Sequence, residues 1–448
     1  MNKLRRANLI IPGIILFSLL FHLFGCFCLY DFTNDEGNWL INAKNYVLFG
    51  VFSLEGMYYT GFSPLNTFLH VLIFKAADPS IWIGRYVSII FALASLLLFI
   101  WLVKRQCGLA VAVFAACLIA VNGIYNRGTT WAMLEPKVYF FGILALLCAF
   151  SSKKHIRMLT FLPMALGIGF KPHMVYLLLP ISYVLLTAPR NAKIRTTLVF
   201  LSAALLIGGL FFYIAYTIDP DSFGLWWRLH LPYRLNHMLA FQLSRHMLQS
   251  VLYFLLRTPV TSFLFLIGVI AAIFRPKKTR FHKCLLLWIF AEIVFYIFQP
   301  YVPARYVLDL IFPLSIFAAE FLCGLKKTMA ICIIVLIVFI QVASSMYFFL
   351  VVKPERPAIE TAQFLQERQN LYDEILAPPQ VSVGLKIKTI STSSYLSIKY
   401  ALRNKLKRPP LCVLQKEAAI TYALDDIFVK KYGRLIKKIG YFWIYRIQ

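Results

Sequence analysis

The sequence predicts a polytopic α-helical membrane protein with a small extracytoplasmic α/β segment at its C-terminal end. Two observations predict this. Apolar runs close to the roughly 20 residues that a helix needs to cross a hydrocarbon core recur from Leu9 to Val352. Small Lys and Arg clusters fall between those runs, where loops belong. Composition agrees, with 60% hydrophobic residues, 16% aromatics and a mean hydropathy of +0.72.

The formal charge of +27 is dispersed along the chain rather than gathered in one patch. It therefore reads as membrane topology, not as a nucleic-acid partner. The nine cysteines lie mostly inside apolar runs without metal-ligand spacing, so they are expected to behave as small core hydrophobes. The chain has no Asn-x-Ser/Thr sequon, which favours a bacterial plasma membrane over the endoplasmic reticulum.

Taken in order, Lys3, Arg5 and Arg6 precede the first span, Leu9 to Tyr30, and place the N-terminus in the cytoplasm. The first outer loop then covers residues 31–80. Within it, Pro64 to Ala77 is apolar but only about 14 residues long, too short to cross, and is expected to lie flat on the outer surface. Ile81 to Val103 returns to Lys104-Arg105, Leu109 to Tyr125 leads out, and Lys137 to Phe150 leads in to Lys153-Lys154. Met158 to Thr187 is interrupted at Gly169 to His173, which predicts two short helices meeting at the outer side.

Thr197 to Ile218 leads to an aromatic, basic loop from Asp219 to Ser250, and Val251 to Phe274 returns to Arg275, Lys277 and Lys278. Leu285 to Phe298, Val307 to Leu325 and Ala330 to Val352 complete about eleven spans, a topology that leaves the C-terminus outside. Residues 1–352 form the membrane domain in this reading and 353–448 a soluble one. The soluble part is expected to contain a strand within Ile387 to Ile398 and a helix near Leu424 to Lys438.

Up to Asp221 every acidic residue falls on a predicted outer loop or its edge. Acids contribute little to topology, so their segregation points to chemistry at the outer face. Asp31, Asp35 and Glu36 fall within six positions just past the first span. Asp35 there suits a general base for an attacking hydroxyl, while a solvated or helix-capping charge is the plainer reading. Glu36 and Glu135 are candidate supporting acids, although each also suits a helix start.

Lys171, Arg305 and Arg127 are candidate phosphate ligands, set against simple snorkelling to the interface. Trp226 and Arg228 sit in the aromatic loop and suit an interfacial belt or an acceptor contact. Tyr306 is a further candidate contact for lipid or acceptor. His237 and His246 are nine apart, which is no metal spacing. A divalent metal has no clear ligand set in this sequence, and no other cofactor is indicated.

With these residues assembled, the chain resembles polytopic glycosyltransferases of the GT-C fold class, in the branch of polyprenyl-phosphate-mannose protein mannosyltransferases and lipid A aminoarabinose transferases. The resemblance covers about Leu9 to Val352 and rests on an ordered set of features. Asp35-Glu36-Gly37 follows the first span, and Gly61-Phe62-Ser63-Pro64-Leu65 opens the short apolar helix. Arg85, Glu135, Lys171 in a broken hairpin, and Arg305-Tyr306 ahead of Pro313 come next. Asn38 stands where many relatives carry Arg, and Phe62-Ser63 where aminoarabinose transferases carry an acidic-basic pair.

The resemblance implies an inverting transfer of sugar from a polyprenyl-phosphate donor to a lipid, glycan or protein acceptor. Asp35 would be the base, and Lys171 and Arg305 would hold the phosphate. The rival expectations are a transporter of lipid-linked sugars, for which Glu292 and Asp309 are the candidate buried acids, and an inactive scaffold.

Overall fold

A computed structural model describes residues 2–50, 52, 63–188, 193–218, 220, 236, 249, 251–253, 258–297, 299, 304–352, 355–371, 374–386, 388–391, 411–415 and 433–447. The chain opens with α1 (Asn2–Phe24) and a π-turn (Gly25–Leu29), followed by α2 (Asn34–Phe49), α3 (Pro64–Ala76) and α4 (Ile81–Cys107). Then come α5 (Leu109–Ala120), α6 (Gly123–Thr130), α7 (Glu135–Ala149), α8 (Lys154–Met158) and α9 (Phe161–Phe170). A 3-10 turn (Pro172–Leu177) leads to α10 (Leu178–Leu186), α11 (Lys193–Ile218), α12 (Pro259–Phe274) and α13 (Arg280–Ile297). A second 3-10 turn (Ala304–Leu310) precedes α14 (Ile311–Gly324) and α15 (Lys327–Tyr347).

Among the described residues, four helices are long and apolar enough to cross a membrane by themselves: the first, α4, α11 and α15. A fifth arises if α5 and α6, bent by 68°, count as one span. Chain chemistry explains the bend, because Asn122 ends the apolar run and accepts from the Tyr125 N–H at 2.9 Å, starting α6 in a new direction. The remaining apolar helices are shorter, so among the described residues length and composition alone support four or five of the roughly eleven expected spans.

The membrane helices share one core, in which α4 packs on α7, α9 on α11, and α12 on α14. At the last crossing, a Cβ on Gly268 would lie 2.5 Å from the backbone nitrogen of Ala318, so only glycine permits that approach.

The C-terminal part contains α16 (Pro357–Gln366), a strand β1 (Glu374–Ala377), α17 (Pro379–Ser382), β2 (Lys388–Ser391), β3 (Leu411–Gln415), β4 (Gly433–Ile439) and β5 (Phe442–Ile447). They form one mixed sheet in the order β2-β1-β3-β5-β4. The helix expected near Leu424 to Lys438 is corrected where it is described: Gly433–Ile439 is a strand, antiparallel to β5. Gly440 turns the chain at φ 52°, and Phe442 and Ile444, both fully buried, fix the register.

The sheet shares a second core with the first loop, where Phe32, Leu40 and Ile41 pack with Ala358, Ile375 and Val413. Asp31 reinforces that junction. Its carboxylate accepts from the Ala358 and Ile359 N–H groups at 2.9 and 3.0 Å, satisfying open donors at the start of α16.

Candidate active site

Asp35 occupies the first turn of α2, which Thr33 starts as an N-cap. Glu36 closes the reciprocal capping box: Thr33 Oγ1 accepts from the Glu36 N–H at 3.3 Å, and a Glu36 oxygen accepts from the Thr33 N–H at 2.9 Å. The Glu36 carboxylate also receives Arg85 Nε at 2.7 Å and Nη2 at 2.8 Å. The Ala132 N–H adds a fourth donor at 2.9 Å. Both side chains are fully buried. Arg85 spends its other donors on the carbonyls of Cys26, Tyr30 and Asp31. A carboxylate so enclosed has no lone pair open to a substrate, so Glu36 is a clamp between three chain segments. The sequence expectation of a supporting catalytic acid does not fit this enclosure.

Asp35 differs in every respect. Its side chain is 37% exposed, and Arg305 Nη1 reaches its Oδ2 at 2.7 Å. Arg305 comes from the second 3-10 turn, and its Nε lies 3.6 Å from Glu135 Oε1. Lys171 Nζ meets that same oxygen at 3.0 Å. The result is a ladder of alternating charge, Asp35, Arg305, Glu135, Lys171, that descends from the exposed end to a buried one.

Local sequence explains each rung. Pro136 follows Glu135 at the first turn of α7, where a carboxylate suits the helix dipole. Lys171 ends α9 in an extended conformation, and Ser63 Oγ donates to the neighbouring Phe170 carbonyl at 2.6 Å, tying the break to the start of α3.

The four residues that the sequence singled out from distant segments thus converge. Arg127 joins them from another side, with its guanidinium 4.6 Å from the Trp131 ring centroid and 6.0 Å from that of Tyr30. Arg127 and Arg305 line one cavity of about 380 Å³, together with Tyr30, Trp131, Gln341 and Ser344. Lys171, only 3% exposed, is not among the residues lining that cavity. The contact described for its ammonium is the one to Glu135. Tyr306 belongs to the second 3-10 turn, but its side chain lies outside what is described, and Trp226 and Arg228 lie outside the described residues.

Deeper in the bundle, Tyr176 Oη donates to Asp309, and Trp288 Nε1 donates to Glu292 Oε2 at 3.1 Å. Sequence reading found these acids only as candidate buried charges and did not find these partners. Among the described residues no three His, Cys, Asp or Glu side chains form a group that could hold a metal ion.

The fold has known counterparts. Over 98% of this chain and 97% of the other, it matches the crystal structure of ArnT from Cupriavidus metallidurans bound to undecaprenyl phosphate, with a TM-score of 0.71 at 12% identity. The apo form of ArnT matches at 0.72 and 12% identity, over 99% of this chain and 98% of that one. The oligosaccharyltransferase of Archaeoglobus fulgidus, tethered to an acceptor peptide with an NVT sequon, matches at 0.52 and 12% identity. That match covers 98% of this chain and 74% of the other. No family model and no curated protein matches the sequence.

Proposed function

We propose, for a chain that has the GT-C fold of membrane glycosyltransferases, that it transfers a sugar from a polyprenyl-phosphate donor to an acceptor hydroxyl at the membrane face bearing Asp35. The observation that carries this reading is the Asp35–Arg305 pair at 2.7 Å, because Arg305 is also a wall of the cavity that contains Arg127. A base is thus paired with one of two phosphate-seeking cations that line a single cavity. The acceptor-bound forms and the undecaprenyl phosphate named for the matched structures belong to those proteins, and they make a lipid-linked donor the natural class to test.

In this mechanism Asp35 takes the proton of the acceptor hydroxyl as its oxygen attacks the anomeric carbon. The bond from that carbon to the phosphate oxygen breaks with its electron pair left on the phosphate, and the configuration inverts. Arg305 and Arg127 stabilise the charge on the departing phosphate. Lys171 shares the charge of Glu135 with Arg305, so that Arg305 serves Asp35 and the phosphate in turn. The active face is extracytoplasmic in this reading, where nucleotide sugars are absent and a lipid carrier is the available donor.

A transporter of lipid-linked sugars is the second reading, and the buried acids Glu292 and Asp309 favour it, since ionisable groups inside a bundle often mark a transport path. Reconstitution in vesicles with a polyprenyl-phosphate sugar separates the two. Sugar transfer that falls about 10²–10⁴-fold in Asp35→Asn fits general-base catalysis. Unchanged transfer removes Asp35 from the mechanism, and lipid translocation without transfer selects the second reading.

A further inference from the structure

The end of α4 remote from Arg85 borders a second cavity that the proposed reaction does not use. Helix α4 runs from Arg85, which clamps Glu36, to Cys107 at its other end. At about 1.5 Å per residue that helix is about 40 Å long, so Cys107 lies at the opposite membrane face. There a cavity of about 400 Å³ is lined by Cys107, Val111, Gly268, Arg275, Glu320 and Phe321, among others.

Three basic helix ends flank its lining residues in sequence. Lys104 and Arg105 close α4, Arg275 caps α12 and is followed by Lys277 and Lys278, and Lys326 and Lys327 follow α14. The one acid in the lining is Glu320, whose carboxylate is already shared by His282 at 2.7 Å and Arg275 at 3.1 Å. Arg275 makes that ion pair through Nη1 alone, and its side chain remains 46% exposed. It therefore keeps donors of its guanidinium fork for an incoming anion. Lys278 Nζ donates to the Arg275 carbonyl at 3.2 Å, holding a second cation beside the first. Val111, Phe317 and Phe321 give the cavity apolar walls.

We propose that this cavity binds the phosphate headgroup of an anionic phospholipid in the leaflet opposite the Asp35 face. Arg275 meets the phosphate oxygens through its planar fork. Lys277, Lys278, Lys326 and Lys327 supply the surrounding positive potential, and the first acyl carbons lie against the aromatic wall. A basic pocket between membrane helices at one leaflet suits this headgroup. The surplus of cations alone does not make a site, since every loop at this face is basic. Lys153, Lys154 and Arg157 form an equally basic and exposed or half-exposed cluster, but no residue within ten positions of them lines this cavity, whereas Lys277, Lys278, Lys326 and Lys327 each follow a lining residue, Arg275 or Gly324, by two or three positions. That contrast supplies an internal control.

The test is native mass spectrometry of the full chain in detergent, titrated with phosphatidylglycerol or phosphatidylcholine, alongside thermal melting with each lipid. The expected result is preferential retention of phosphatidylglycerol with a matching rise in Tm. Arg275→Gln, and separately Lys326→Gln with Lys327→Gln, should each weaken retention by about fivefold per cation removed. Lys153→Gln with Lys154→Gln should leave retention unchanged. The lysine variants leave the Glu320 ion pairs intact, so they carry the test if Arg275→Gln does not fold. Equal retention of the two lipids, an equal loss in the Lys153/Lys154 control, or displacement of the lipid by millimolar inorganic phosphate would each overturn the proposal.

Discussion

Arg305 Nη1 donates to Asp35 Oδ2 at 2.7 Å while its Nε stands 3.6 Å from Glu135 Oε1, so one guanidinium spans two carboxylates at the mouth of a cavity. With Arg305 in this position, one oxygen of the proposed base is occupied. A donor phosphate that draws Arg305 toward itself frees that oxygen, which couples donor binding to release of the base. Replacing the planar fork by a point charge, as in Arg305→Lys, should therefore lower kcat by about a hundredfold with a smaller rise in the donor KM. Steady-state kinetics over both substrates checks this. A variant with wild-type kcat would remove Arg305 from the transition state.

Arg127 should behave differently because it touches no carboxylate among the described residues and is held only by the faces of Trp131 and Tyr30. Its loss strips the cavity of a cation without disturbing the charge ladder. Arg127→Ala is expected to raise the donor KM about tenfold and to change kcat little, the pattern of lost ground-state binding. An equal fall in kcat and kcat/KM would instead put Arg127 on the leaving phosphate during bond breaking.

The Glu36–Arg85 pair is expected to show up in stability rather than in turnover. Glu36→Gln leaves a fully buried guanidinium without its counter-charge, which costs about 3–5 kcal/mol. Replacing both, as Glu36→Gln with Arg85→Met, removes the stranded charge and should recover part of the loss. Thermal melting of the purified variants measures this, and turnover per folded molecule should stay near wild type in each. A large drop in turnover at full folding would return Glu36 to the catalytic group.

Much of this arrangement was legible in the sequence for a definite physical reason. Charged side chains beside long apolar runs are costly unless they are paired or functional. Asp35, Glu135, Lys171 and Arg305 stood out on that ground alone. What the sequence could not give was the pairing. Glu36 and Arg85 lie 49 residues apart, and nothing local tells which of two adjacent acids turns inward. Lys171 read as a phosphate ligand because its break in the helix was visible, whereas its closeness to Glu135 was not.

The same limit produced the misread strand. Gly433–Ile439 has a plausible helical spacing by itself, and only the hairpin with Phe442–Ile447 settles its conformation. Span counting meets a related limit. The fold cuts apolar runs with 3-10 turns: the one at Pro172–Leu177 was visible as the break at Gly169 to His173, whereas the one at Ala304–Leu310 overlaps the start of the expected span Val307 to Leu325.

Lys44 provides a pH-dependent test of how the C-terminal sheet is held. It lies on α2, fully buried, and its Nζ donates to the Ser382 carbonyl of α17 at 2.8 Å. Burial pushes its ammonium down from 10.5 to about 7. Below about pH 7 the docked state holds a buried positive charge. Between about 7 and 10.5 the docked state has released that proton while an opened state, with Lys44 in water, still binds it. The opened state then carries more protons, so docking strengthens as pH rises through this window, by at most about 1.4 kcal/mol per pH unit. The gain is absent below pH 7 and complete above 10.5.

Hydrogen exchange of the amides in α17 and β1 should accordingly slow more between pH 7 and 9 than the intrinsic chemistry of exchange explains. Lys44→Met keeps the stem and removes the titrating group. It should abolish that extra slope, at a cost of about 1 kcal/mol for the Ser382 carbonyl left without this donor. If the slope survives in Lys44→Met, the proton belongs to another group and the junction rests on the Asp31 cap and the shared apolar core instead.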